Sequence, residues 1–155
     1  KILALLIDGS QRALRIRTQG RSTSRGVLPD WIAAATEFTV QIREGSTVLD
    51  IESPSLLEAA PNELRQTQLL PEIDPTRPAL DYLADSIESA LHEYNGSNLY
   101  DGPFLRFLSK LEGIFEHGVT DVEFCQADGR SRQQLRIQRS SVSQFRQLES
   151  RIPKP

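Results

Sequence analysis

The stretch Ile2-Leu3-Ala4-Leu5-Leu6-Ile7-Asp8-Gly9-Ser10-Gln11-Arg12-Ala13-Leu14-Arg15-Ile16-Arg17 decides what kind of fold this chain adopts. Its first six residues are continuously apolar, a run that suits a buried strand. Asp8-Gly9 is a turn pair, and Leu14 to Arg17 alternates apolar with basic, the period of a half-buried strand. On this reading the chain opens with strand, turn and strand. The heptapeptide Gln11 to Arg17 is also echoed by Gln133-Gln134-Leu135-Arg136-Ile137-Gln138-Arg139. Both are expected as alternating strands with an arginine face, although no period supports a repeat architecture.

Two further hairpins are legible residue by residue. Gly45-Ser46 is a two-residue turn with Gly first, suited to type II′. Pairing outward sets Ile42 opposite Leu49 and Val40 opposite Ile51, with Phe38 on the same apolar face. Thr39 and Gln41 then oppose Glu52 and Asp50 on a polar face, which specifies the register. The other hairpin turns at Asp128-Gly129, a type I′ pair. It sets Val122 opposite Leu135 and Asp121 opposite Arg136, with Phe124 and Ile137 on the buried face.

Three helices follow from 3.6-residue spacing. Leu80, Leu83, Ile87, Leu91 and Tyr94 form one stripe, started by Thr76 and Pro78 and stopped at Asn95-Gly96. Phe104, Phe107, Leu108, Leu111 and Phe115 form a second, entered through Asp101 and Pro103 and ended by Gly118. Val142, Phe145, Leu148 and Ile152 form a third, opened by a capping box of Ser141 and Gln144. A short helical turn is expected after Pro29-Asp30-Trp31. The segment from 53 to 78 carries five of the nine prolines and supports only brief helix around Asn62 to Gln66, as a crossover between sheet and helices.

Charge is sorted along the chain. Residues 1 to 27 carry six bases (Lys1, Arg12, Arg15, Arg17, Arg21 and Arg25) against Asp8 alone. Residues 127 to 155 carry seven against Asp128 and Glu149, and the middle is strongly acidic, leaving the whole chain at −3. Such sorting describes either a basic binding surface or basic elements folded against acidic neighbours. Fifteen of the eighteen bases are arginine, the residue suited to bidentate pairing with carboxylate or phosphate. Sheet proteins that bind nucleic acid place aromatics among those bases, and the basic strands expected here contain none. Placed on the hairpins, the sorting reads as the fold's own pairing pattern. The loop Gln19 to Gly26 stays unmatched, so the candidate anion-binding residues are Arg21 and Arg25, with Arg15 and Arg17 beside them.

The residues offer no catalytic constellation. His117 reads as a cationic cap on a helix end and His92 as an exposed or half-buried helix residue. Glu112, Glu116 and His117 lack the spacing that puts two imidazoles on one face. Cys125 ends a strand on an acidic face, which opposes a thiolate, and one cysteine makes neither an internal disulfide nor a Cys-based metal cage. No catalytic, metal or cofactor site is therefore assigned.

The 155 residues, 38% apolar and 25% charged, have the composition of a globular domain. The longest apolar run is far short of the ~20 residues of a membrane span, so no membrane partner is expected. The fold expected is α+β: an antiparallel sheet of about six strands built from hairpins, two central amphipathic helices packed on one face, and a C-terminal helix. Residues 1–152 are expected as one domain excised from a longer cytoplasmic protein, with 153–155 starting a linker. The function expected is non-catalytic protein interaction or regulation, the partner being another protein or a further domain of the same chain. Nucleic-acid or phospholigand binding through the arginine-rich ends is the alternative.

Overall fold

The computed structural model describes residues 2–23, 26–42, 49–64, 73–92, 98–116, 119–125 and 131–152. It corrects the expected six-stranded sheet. The molecule is mostly helical, with two separate two-stranded antiparallel sheets among the described residues.

The difference begins at the N-terminus. Ile2–Gln19 is one helix, α1, where two strands were expected. Ile2, Leu6, Gly9, Ala13 and Ile16 recur at helical spacing on its inward side. Gly9 is no turn residue. A Cβ there would stand 2.8 Å from Cε1 of Phe107 and 3.0 Å from Cδ1 of Leu83, so glycine is what lets α1 approach its neighbours. The helix ends at Gly20, whose φ of +79° and N–H donation to the Ile16 carbonyl (2.9 Å) make a left-handed cap.

The elements that follow are α2 (Asp30–Ala35), β1 (Thr39–Ile42), β2 (Leu49–Glu52), α3 (Leu56–Ala59) and α4 (Pro61–Leu64). Then come α5 (Ala79–Leu91), α6 (Gly102–Ser109), α7 (Glu112–Phe115), β3 (Asp121–Cys125), β4 (Ser131–Gln138) and α8 (Arg139–Arg151). Helix α2 is the turn expected after Pro29. Within the crossover α3 is an extra helix, and α4 stands where brief helix was expected. Leu56 and Leu57 donate to the carbonyls of Arg77 and Pro75, 3.1 and 2.9 Å, closing the segment's two ends on each other.

The first hairpin has the expected register, Thr39 to Glu52, Val40 to Ile51, Gln41 to Asp50 and Ile42 to Leu49. In the second, Val122 pairs Ile137 and Glu123 pairs Arg136, while Asp121 meets Gln138 rather than Arg136. An irregularity between Glu123 and Cys125 absorbs the slip. A two-residue shift returns each side chain to its own face, so Phe124, Leu135 and Ile137 are buried as expected. Both turn pairs, together with Tyr94, Asn95-Gly96, His117 and Gly118, lie outside the described residues.

The stripes of α5 and α6 point inward as expected, but the helix from Phe104 to Phe115 is divided. Lys110 and Leu111 donate to carbonyls three residues back, 3.0 and 3.1 Å, a tight step that separates α7 from α6. Helix α8 starts earlier than its serines suggested. Ser141 is not the cap; its Oγ accepts from the backbone N–H of Gln138, 3.1 Å. Helix α1 packs along α5 and touches α6, and α8 packs on α6, α5 and α7. A cavity of about 20 Å³ remains between Leu6, Leu83, Phe107, Phe124 and Ile137. It has room for roughly one water and walls that offer it no hydrogen bond.

Candidate functional site

Of the four arginines singled out in the sequence, three lie among the described residues. Arg15 and Arg17 lie on α1, where two residues' separation turns side chains about 200° apart; the shared sheet face expected for them is absent. Arg17 turns toward α5, donating to the Ala13 carbonyl (2.9 Å) and to Oγ of Ser86 (3.1 Å). Arg21 is exposed just past the helix end, and Arg25 lies outside the described residues.

The loop after α1 does hold an anion, and that anion belongs to the protein. Ser22 donates its backbone N–H to Oδ2 of Asp101 (2.8 Å) and its hydroxyl to Oδ1 (2.5 Å). Oδ1 also accepts from the N–H of Phe104, 2.9 Å, so one carboxylate caps α6 and clamps the loop. Asp101 was legible as a helix start; its second partner, 79 residues away, was not.

The densest polar cluster surrounds Tyr82, which is buried on α5. Its hydroxyl donates to the Asp74 carbonyl (2.8 Å) and accepts from the Asp74 N–H (2.6 Å). The guanidinium groups of Arg17 and Arg77 lie 4.9 and 4.8 Å from the ring centroid, within cation–π range. Arg77 also binds Asp85 at 2.7 Å and approaches Asp81 at 3.6 Å. The Asp74 carboxylate accepts from the N–H and hydroxyl of Thr76, 3.0 and 2.7 Å, an Asx turn in the Asp74-Pro75-Thr76-Arg77-Pro78 loop that leads into α5. The only hint in the sequence was that proline-bracketed Asp-Pro-Thr.

Titration in this cluster moves away from neutrality. Burial pushes the Tyr82 phenol above its ordinary value. The two Thr76 hydrogen bonds hold Asp74 below the usual carboxylate range. Burial opposes the Arg77 charge, but Asp85 and Asp81 outweigh it and raise its pKa. General acid–base catalysis needs the reverse, groups tuned toward the working pH. These shifts lock each group in its resting charge state, as a structural cluster does. Among the described residues there is no grouping of three or more His, Cys, Asp or Glu able to hold a metal ion.

The C-terminal arginines are met from the acidic middle. Arg136 pairs with Glu123 at 3.4 Å, Arg146 with Glu112, and Glu149 with Arg106 at 3.1 Å. Arg139 donates to the Phe115 carbonyl, 3.2 Å. Glu112 is held below its ordinary range by the hydrogen bond from Arg146. Pairs this exposed are screened by solvent and add little stability; those of Arg146 and Glu149 orient α8 on α7 and α6, and that of Arg136 joins β4 to β3.

The two hairpins differ in how they are seated. Both have an apolar face by pattern. In β3–β4, Phe124, Leu135 and Ile137 on that face are buried and Val122 is half-buried. In β1–β2, Val40 is 39% exposed and its partner Ile51, like Phe38, is only half-buried against the core. Thr39 and Glu52, on the opposite face, are exposed. Of the described elements, β1 packs substantially only on β2. The hairpin thus meets the core through Phe38 and Ile51, and Val40 is exposed beside them.

Comparison with protein-family models, curated proteins and solved structures finds no match. No helix among the described residues is long and apolar enough to cross a membrane.

Proposed function

We propose that this chain is a non-catalytic protein-interaction domain of a larger cytoplasmic protein, and that it docks an extended segment of a partner on the β1–β2 hairpin. The observation that carries this reading is the contrast between the hairpins. One seats its apolar face on the core, while the other leaves Val40 open above a half-covered Ile51. A two-stranded sheet also has an outer edge of unpaired N–H and C=O groups on each strand, and such edges accept an added strand with pockets for alternate side chains. The direction of the shifts around Tyr82 supports a scaffold rather than an acid–base machine. Nucleic-acid binding through the arginine-rich ends is the weaker reading, because Arg17, Arg136, Arg139 and Arg146 are already engaged within the chain.

A displayed library of random peptides, panned on the full chain and counter-selected on Val40→Glu, tests the reading. Peptides of alternating apolar pattern should enrich, and binding should vanish in Val40→Glu while surviving Gln147→Ala on the exposed side of α8. No enrichment, or binding indifferent to Val40, would defeat it.

A further inference from the structure

We infer that the segment docked on the β1–β2 hairpin is basic, an extended stretch of the partner in which apolar residues alternate with lysine or arginine. The inference rests on the reading of this hairpin as the docking element and adds the chemistry of what it takes. The part of the chain that carries the hairpin is short of bases. From residue 30 to residue 64, α2 through α4, the sequence holds seven acids and one base. Four of those acids, Asp30, Glu37, Glu52 and Glu58, are exposed and form no ion pair among the described residues. By contrast, Asp8, Asp81, Asp85, Glu112, Glu123 and Glu149 each meet an arginine of this chain. The unmatched carboxylates do not gather into a metal-binding group among the described residues. Cationic side chains of a partner answer them instead.

The hairpin sets one of these acids in register with its exposed apolar residue. Thr39 pairs with Glu52 and Val40 with Ile51, so the two cross-strand rows lie on opposite faces. One row carries an exposed carboxylate and the other an exposed valine. A strand added beside β1 extends both rows. Its residue in the Val40 row covers a side chain that is 39% exposed. Its residue in the Thr39 row lies beside a short side chain, across which the long stem of a lysine or arginine extends toward Glu52. Glu37, two residues before Thr39, is a second exposed carboxylate at the same end of β1. Opposite charges across a ladder attract and like charges repel. The surface therefore selects a basic segment and rejects an acidic one.

Fluorescence anisotropy on the full chain tests this with three short synthetic peptides, in which valine alternates with lysine, with threonine or with glutamate. The lysine peptide should bind about fivefold more tightly than the threonine peptide, and the glutamate peptide more weakly than either. Raising the salt from about 0.05 M to about 0.5 M should remove most of that preference. Glu37→Gln and Glu52→Gln, combined on one chain, should bring the lysine peptide to the affinity of the threonine peptide. Glu116→Gln, at the end of α7, should leave the preference intact. Equal binding of the lysine and threonine peptides, or a preference indifferent to Glu37 and Glu52, overturns the inference. In either case, threonine-peptide binding that is lost in Val40→Glu shows that the docking reading survives without a basic partner. If no peptide depends on Val40, both fail.

Discussion

Ser22 and Asp101 are joined by two hydrogen bonds, 2.5 Å from the serine hydroxyl and 2.8 Å from its amide, and they tie the exit of α1 to the entry of α6. The same carboxylate caps α6, so removing it leaves three donors without an acceptor. Asp101→Ala should cost about 2–4 kcal/mol, combining a lost cap with buried donors left unsatisfied. Ser22→Ala should cost about 1–2 kcal/mol. Urea denaturation of both variants and the double mutant should show strong non-additivity, because they share one bond network. Additive losses would mean that the clamp is not formed in solution.

Gly9 offers a test of α1 itself. In an exposed helix, alanine is favoured over glycine by about 1 kcal/mol. Here the added methyl meets Phe107 and Leu83 inside the core, where overpacking costs about 1–3 kcal/mol. Gly9→Ala should therefore be destabilising on balance, and Phe107→Leu should relieve part of that cost in the double mutant. If Gly9→Ala raises the denaturation midpoint, the close approach of α1 to α6 is wrong.

Ser10 is fully buried and its hydroxyl has no hydrogen-bond partner among the described residues. An unsatisfied buried hydroxyl costs about 1–3 kcal/mol, and alanine removes it with little change in volume. Ser10→Ala should raise the thermal midpoint or leave it unchanged. A clear loss of stability would reveal a partner for the hydroxyl.

Tyr82 should impose an alkaline limit on stability. Burial raises its folded-state pKa above the ordinary 10.0, so the folded chain keeps a proton that the unfolded chain releases. The contribution is complete below about pH 10 and is lost as pH climbs through the folded pKa. Urea midpoints from pH 8 upward should fall beyond that point. In Tyr82→Phe, already weaker at pH 8 by about 1–2 kcal/mol through loss of the hydroxyl's bonds to Asp74, that component of the fall should be missing.

The two similar heptapeptides show where sequence stops deciding structure. Gln11-Arg12-Ala13-Leu14-Arg15-Ile16-Arg17 lies inside α1, whereas Gln133 to Gln138 of its echo lies in β4 and Arg139 opens α8. Leu135 and Ile137 are both buried with Arg136 exposed between them, the alternation of a strand. In α1 the residues buried alongside Ile16 are Ala13 and Leu14, at helical spacing. Four alternating residues satisfy either geometry. The unbroken apolar run before them carried no period, and Gly9 read as punctuation because its partner Phe107 is 98 positions away. In the loop after α1, the partner of Ser22 is Asp101, distant in sequence and supplied by the fold.

What the sequence determined alone were features whose partners are near in the chain. The register of β1–β2 follows from a period of two around a short turn, and the stripes of α5, α6 and α8 follow from a period of 3.6. The pairing of acids with bases was legible in kind, although Arg136 chose Glu123 over Asp121 once the register slipped. Tertiary structure decided the state of residues 2–19, the burial of Tyr82 between two arginines, the Ser22–Asp101 clamp, and the exposure of Val40 beside a half-buried Ile51. Those outcomes depend on packing between segments far apart in the chain, where local preferences of a few tenths of a kcal/mol per residue yield to burial of whole side chains worth about 1.5–3 kcal/mol each.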